Sequence, residues 1–590
     1  MRLCELYSHM NLEEAYMYDE NKVTYFGETD FRSKKTKFGI KAKDRSKHMY
    51  VIGKTGMGKS TLLENLAIQD IQNDEGLIFI DPHGSTAVKL LEYVPKHRID
   101  DVVYFAPHDA QFPIAFNVLE QVPKEKRNAV AGGLISTFKK IWVDSFSSRM
   151  EYLLNYALLA LLDVPGTTLL GVNRLLSDKV YRKYIVDRVE DTLVKNFWNN
   201  EFEKYTTTYA SEAVAPIQNK VGQFIASPMI RNIIGQEVST IDFRAFMDQK
   251  KIVIINISKG IIGPENMRLL GGMLITKIQL AAMSRANLPE ETLKRIPNTY
   301  LYVDEFQNFA NESFAEILSE SRKYKLCLTV ANQYIDQMTE EVRNAVIGNV
   351  GTFISFRVGS TDAELMEKEF APNFTAEDMV NLGMYQMYLK LMIDGVASKP
   401  FSANSLPPIP KLDKTYVEEI IGYSRKYFAG EKDQVEIDIR KWTNKDFNLE
   451  SQKAQQLQNN SSKEKNNEKR FEERKQPERK FEPRQDSQKP QQTQQKNINT
   501  QKDSEKEREK EVAKEIKKII KEVEKQEKKE ESLRKKVLLK MQRAHAFQTN
   551  STFSKSKANT GKIRKEEKKE KDLDEVPEDI LKALLSMDDL

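Results

Sequence analysis

Met49-Tyr50-Val51-Ile52-Gly53-Lys54-Thr55-Gly56-Met57-Gly58-Lys59-Ser60 carries the strongest structural signal in this chain. Its apolar first four residues read as a buried strand, and residues 53–60 fit the phosphate-loop pattern G-x-x-x-x-G-K-[ST]. Small residues in such a loop let backbone N–H groups converge on a phosphate, the lysine reaches the β/γ-phosphates and the hydroxyl completes Mg2+ coordination. Here Gly53, Lys54, Thr55, Gly56, Met57 and Gly58 form the cradle, Lys59 and Ser60 carry the side-chain roles, and Thr61 enters the next helix. That helix, predicted over 61–70 (TLLENLAIQD), is rich in helix formers and directs the positive end of its dipole at the phosphates.

With 590 residues the chain has room for three or four domains. Two cysteines, Cys4 and Cys327, and the lack of a secretory pattern at the start make a cytoplasmic compartment the expectation. The longest apolar stretch, residues 152–162 (YLLNYALLALL), is too short to span a bilayer and reads as a core helix. A net charge of +5 from 92 basic and 87 acidic residues is nearly balanced, so nucleic-acid binding would have to come from local patches.

Alternating strands and helices after Met49 predict an α/β fold with a mostly parallel sheet. Residues 1–48 are expected to be an appendage, and 49–117 the first part of the core. Residues 76–80 (GLIFI) read as a strand ending in Asp81-Pro82-His83-Gly84, a polar turn at the ligand-binding edge of such a sheet. Helical patterns over 146–162, 180–188, 197–205 and 211–226 predict an all-α insertion spanning 118–248. Strands over 251–257, 300–303, 326–330 and 352–356, with a hairpin at 392–395, make 249–433 the second part of the core.

Tyr300-Leu301-Tyr302-Val303-Asp304-Glu305 is an apolar strand ending in two carboxylates, the form of a Walker B motif. Asp304 is expected to hold Mg2+ through water or through Ser60, and Glu305 to orient and polarise the attacking water. Gln333, after the strand 326–330, suits contact with the γ-phosphate or that water; a turn hydrogen bond is the alternative. Arg322, at a predicted helix end, could reach a neighbouring subunit's nucleotide or simply partner the helix dipole.

The phosphate loop, IFIDPHG, YVDEFQNF, LSESRKYKL and ANQY together resemble the coupling-protein ATPases of conjugative type IV secretion, within the HerA/FtsK superfamily of ring motors. The resemblance spans about residues 35–405. It implies a RecA-like P-loop NTPase core interrupted by an all-α domain, ATP and Mg2+ as ligands, and a homo-hexamer driving single-stranded DNA with its relaxase toward type IV secretion components. By the same resemblance Lys59 and Ser60 bind nucleotide, Asp304 and Glu305 form Walker B, Gln333 is a sensor-like glutamine and Arg322 the trans-acting arginine finger. Arg357 is a second arginine candidate that could equally pair with Asp362 or Glu364. Membrane-bound members carry N-terminal transmembrane helices, whereas residues 1–48 are mostly polar, so a soluble variant recruited to the membrane by a partner is expected.

Residues 434–503 read as a disordered polar linker, 504–545 as a charged helix or short coiled coil, 546–571 as a basic linker and 572–590 as an acidic amphipathic tip. Such a tip suits docking to a relaxase or accessory DNA-binding protein, or is a solubilising tail. Lys139 and Lys140, among Phe138, Ile141 and Trp142, suit single-strand contact or an amphipathic helix with snorkelling lysines. The leading expectation is an ATP-hydrolysing DNA motor. The alternatives are a HerA-like translocase, a secretion assembly ATPase and a nucleotide-gated receptor that recruits cargo.

Overall fold

The computed structural model describes residues 19–30, 34–120, 122–142, 145–310 and 312–445. The expectations for the linker beyond 445, the charged helix 504–545, the basic linker 546–571 and the acidic tip 572–590 fall outside the described residues.

The strands along the chain are β1 (Val23–Glu28), β2 (Lys37–Lys41), β3 (Met49–Ile52), β4 (Gly76–Asp81), β5 (Val102–Phe105), β6 (Ile252–Asn256) and β7 (Thr299–Val303). They continue with β8 (Leu326–Asn332), β9 (Thr352–Ser355), β10 (Gln386–Lys390), the short hairpin β11 (Met392–Ile393) and β12 (Val396–Ala397), and β13 (Phe401–Ser405). All but β11 and β12 join one sheet in the order β2-β1-β13-β10-β9-β3-β8-β7-β4-β6-β5. From β9 to β5 the neighbours are parallel; from β9 to β2 they are antiparallel. The central parallel strands are buried on both faces, so their apolar residues run uninterrupted. β8 lies between β3 and β7, which is the RecA-like arrangement of an α/β P-loop core.

Residues 1–48 were expected to stand apart, yet β1 and β2 extend this sheet, with Gly27 paired to Ser405 and Val23 to Lys41. The partner of β1 lies at the far end of the core sequence, so nothing local announces the pairing. Phe26 is driven inward on this wing, where its ring meets Phe38 edge-on at 5.4 Å.

α1 (Lys59–Gln72) follows β3 and buries Leu62, Leu63 and Leu66 on one face of the sheet with Val51, Phe79 and Tyr302. Among the described residues between β5 and β6 the chain forms no strand. It makes helices there, including α2 (Arg127–Ile141), α3 (Ser148–Asp163), α4 (Lys179–Arg188) and α5 (Thr207–Ala226). Ser147 caps α3 by accepting from the Met150 N–H at 3.2 Å, and residues 197–205 form a wide turn and then a tight one instead of a regular α-helix. The apolar core of these helices is continuous with the opposite sheet face, where Tyr50, Ile80, Val103 and Leu301 point. After β6, α6 (Pro264–Met283) packs against α2.

Two helices close the described chain, α7 (Val417–Phe428) and α8 (Lys432–Thr443). Residues 434–443, expected to belong to the polar linker, are helical instead. Val435, Ile439 and Trp442 sit four and three residues apart on one buried stripe, hidden by the charged residues between them. Trp442 Nε1 donates to the Gly166 carbonyl at 3.0 Å, seating α8 on the inserted helices. α7 covers the outer edge of β5: Ser424 Oγ accepts from the Tyr104 N–H at 3.0 Å and donates to the Tyr104 carbonyl at 3.4 Å.

Candidate active site

Residues 53–60 turn from the end of β3 into α1, and Gly56 and Gly58 take left-handed φ values of 79° and 122°. A Cβ on Gly58 would come within 3.1 Å of Phe356 and 3.3 Å of Tyr385, so the turn also needs glycine for space. No side chain caps the α1 N-terminus, leaving its backbone donors turned to the loop. Thr55 and Gly56 are exposed at the loop's crest, Lys54 and Thr61 are half-buried, and Met57 is buried beneath it. Lys54 N–H donates to the Arg357 carbonyl at 2.8 Å, tying the loop to the end of β9.

Lys59 is buried, and its ammonium folds back to donate to the Gly53 carbonyl at 2.5 Å. Burial pulls its pKa below the ordinary lysine value, against the opposing pull of Glu305 and Asp304. Ser60 Oγ donates to Asp304 Oδ2 at 3.3 Å, so the phosphate loop and the end of β7 meet as their sequences suggested. Asp304 is buried and its pKa is pushed up to about 6, first by burial and then by the charges of Glu305 and Asp81.

Glu305 turns the chain sharply with φ 45° and ψ 46°. Its Oε2 accepts from Gln307 Nε2 at 2.5 Å, and His83 Nε2 lies 4.0 Å from Oε1. Burial alone would raise this carboxyl, but His83, Gln307 and Lys59 hold it below the ordinary range. Glu305 is therefore ionised at neutral pH. His83 is lifted in turn by the Glu305 carboxylate. The Asp81 side chain sets the His83 turn, accepting from the His83 and Ala87 N–H groups at 2.8 Å each.

The remaining candidates separate by sheet edge. Gln333 emerges from β8 between β3 and β7, half-buried, with its side-chain amide donating to the Tyr334 hydroxyl at 3.0 Å. Arg357 is half-buried beside the phosphate loop, and Asp362, proposed as its ion partner, instead accepts from the Ile335 N–H at 2.8 Å. Arg322 is exposed in the tight turn just before β8, at the opposite edge of the sheet. Strand β8 spans roughly 23 Å at strand rise, which keeps Arg322 away from this chain's own loop.

Lys139 and Lys140 do not form an open basic-aromatic patch. Lys139 pairs with Glu151 at 2.7 Å, Lys140 points inward, and Phe138 and Trp142 stack on each other at 4.9 Å in the core. Four positions around the site were given no role there by the sequence reading: His83, Phe356, Tyr385 and Lys140, the last having been read only for single-strand contact or as a snorkelling lysine. The Asp81-Pro82-His83-Gly84 turn at the sheet edge was a usable signal for His83. The other three reach the site only through the tertiary fold.

Hard oxygen donors at Ser60 and Asp304, with buried negative charge that Lys59 balances only in part, suit a divalent cation. Magnesium takes few protein ligands and completes its shell with water and phosphate. Among the described residues, no group of three or more His, Cys, Asp or Glu side chains is placed to hold a metal ion. Also among these residues, no helix is long and apolar enough to cross a membrane.

Comparison with known proteins places the chain in a family. No curated protein sequence matches the chain. Among solved structures it is similar to the bacterial conjugative coupling protein TrwBdeltaN70, at 14% identity and TM-score 0.48, covering 64% of this chain and 89% of that one. The plasmid coupling protein TrwB in complex with ADP and Mg2+ aligns at 14% identity and TM-score 0.47, covering 64% and 90%. VirB4 of Thermoanaerobacter pseudethanolicus aligns at 14% identity and TM-score 0.42, covering 66% and 97%. The sequence model of the type IV secretion-system coupling protein DNA-binding domain matches residues 34–382, more than half of the chain. The chain belongs to the type IV secretion-system coupling protein DNA-binding domain family.

Proposed function

We propose that this protein is a Mg2+-dependent ATPase that assembles as a homo-hexameric ring and moves single-stranded DNA, with an attached relaxase, toward a type IV secretion channel. The observation that carries the reading is the convergence of Lys59, Ser60, Asp304 and Glu305 at one edge of the sheet, with Ser60 bonded to Asp304. The family match supports the DNA and secretion part of the reading.

The backbone of residues 53–58 and the α1 N-terminus would hold the phosphates, and Lys59 would leave the Gly53 carbonyl to meet the β/γ-phosphates. Ser60 and Asp304 would hold magnesium, which when bound supplies positive charge against the phosphate oxygens. Glu305, ionised and fixed by Gln307 and His83, would orient a water in line with the γ-phosphorus and accept its proton as the water oxygen bonds to phosphorus and the bond to the departing ADP oxygen breaks. Gln333 stands between the two motifs as the sensor, and Arg322 serves the site of the adjacent subunit. The protein would act in the cytoplasm, recruited to the membrane by a partner.

Steady-state ATP hydrolysis with and without single- and double-stranded DNA tests the proposal, alongside Lys59→Ala and Glu305→Gln. Single-stranded DNA should stimulate turnover, and each substitution should lower it about a hundredfold or more. Glu305→Gln should still bind ATP. Turnover that stays at background with every DNA, despite bound ATP, would overturn the motor reading.

A further inference from the structure

We infer that Lys140 is a positioning residue for Glu305, holding the turn after Asp304 and tying hydrolysis to the placement of helix α2. This rests on the reading of Glu305 as the residue that orients the attacking water.

Lys140 lies in the last turn of α2, and its ammonium donates to the carbonyls of both Gln307 and Ala310. The Gln307 carbonyl lies within the tight turn Phe306–Asn308 that follows Glu305, and the Ala310 carbonyl just beyond it. Inside that turn the Asn308 N–H donates to the Glu305 carbonyl at 3.0 Å and the Ala310 N–H to the Phe306 carbonyl at 2.9 Å. So short a turn has no further helical donors for its last carbonyls, and a cation at that end satisfies them. Gln307 is thereby fixed through its backbone while its side chain grips Glu305 Oε2 at 2.5 Å. The path runs from Lys140 through Gln307 to Glu305.

A lysine is an expensive residue for this place. Burial, reinforced by the charge of Arg268, lowers its pKa to about 8. A methionine would fill the same space without that desolvation. What lysine adds is a pair of donors aimed at one turn.

The surroundings make the tie stiff. A Cβ on Gly272 of α6 would come within 2.5 Å of Thr137 on α2, and one on Gly271 within 2.2 Å of the Phe309 ring. Helix α6 therefore touches both α2 and the turn, and displacement of α2 relative to the sheet is felt at residues 307–310. Because α2 opens the inserted helices, whatever moves them acts on Glu305 by this route.

The experiment uses the full chain with Lys140→Met, Gln307→Leu and the double variant, read by ATP kinetics and by amide hydrogen exchange. Lys140→Met should bind ATP within about twofold of wild type, keep KM within about threefold and lose about tenfold or more in kcat. Lys140→Arg, which keeps the donors, should recover most of that loss. The double variant should lose no more than the worse single, as members of one path do. Exchange over 305–310 should quicken in Lys140→Met while exchange over 53–61 stays as in wild type.

Wild-type kcat in Lys140→Met, unchanged exchange over 305–310, or losses that multiply in the double variant would each overturn the inference. If Lys140→Met does not fold, Gln307→Leu decides, since it leaves the Lys140 contacts in place; wild-type kcat there refutes the path. If wild type itself does not hydrolyse ATP, the reading of Glu305 fails, and exchange over 305–310 alone decides whether Lys140 holds the turn.

Discussion

The Ser60 hydroxyl donates to Asp304 Oδ2 across 3.3 Å, joining the first turn of α1 to the end of β7. In the proposed reading these two side chains hold magnesium, so removing either should weaken the ion more than the nucleotide. Ser60→Ala and Asp304→Asn are expected to raise the Mg2+ concentration for half-maximal hydrolysis about tenfold or more and to lower kcat about a hundredfold. Ser60→Thr, which keeps the hydroxyl, should stay near wild type. A Mg2+ titration of ATP turnover at saturating nucleotide checks both statements.

Arg322 sits at the edge of the sheet opposite the phosphate loop. If it acts, it acts on a neighbour. Arg322→Ala is expected to bind ATP normally and to lose hydrolysis about a thousandfold. Mixed with Glu305→Gln subunits, it should regain part of the activity, because some interfaces then pair an intact Glu305 with an intact Arg322. Mixing experiments that give no recovery at any ratio would place the transition-state charge elsewhere, with Arg357 beside the loop as the next residue to test.

Arg45 and Asp70 form a fully buried pair, bidentate at 2.6 and 2.9 Å, and Arg45 also donates to Tyr302 at 2.6 Å and lies over the Tyr300 ring at 3.6 Å. Removing one charge strands the other. Asp70→Asn is expected to cost about 3–5 kcal/mol of stability, whereas Arg45→Met with Asp70→Leu should recover much of it. Differential scanning fluorimetry of the single and double variants measures the difference.

His48 is buried at the start of β3, where its Nδ1 accepts from the Leu328 N–H at 3.1 Å. Burial lowers its pKa to about 4, below the value near 6.5 expected in the unfolded chain. The unfolded state therefore takes up the proton first as pH falls. The neutral imidazole's stabilising contribution is fully present above pH 6.5 and is lost as pH falls through 4, about 3 kcal/mol in all. His48→Gln should flatten this part of the apparent Tm against pH profile between pH 7 and 4.

The parallel centre of the sheet was legible because its strands carry long apolar runs that end in glycine or carboxylate, as at Ile52-Gly53 and Val303-Asp304. The antiparallel wing was not, since β1 alternates only weakly and pairs with β13 from the far end of the core. Helix α8 was lost among charges, its stripe of Val435, Ile439 and Trp442 being too sparse to stand out. At the site, residues whose role lies in their own chemistry, such as Lys59 and Glu305, could be read from motifs. Tyr385, whose N–H donates to the Met57 carbonyl at 3.2 Å, and Lys140 act on backbone carbonyls, and a carbonyl has no letter in the sequence.

The single hydroxyl of Ser424 meets both the N–H and the carbonyl of Tyr104, standing in for one residue of an absent neighbouring strand. An open strand edge invites addition of a foreign strand, and here the invitation is withdrawn by a helix side chain. Growth of the sheet across β5 would first require lifting α7 and stripping Ile420 from its apolar seat. Strand exchange between copies is thereby blocked on this side, and a ring built from this chain would have to join its subunits through side-chain surfaces there.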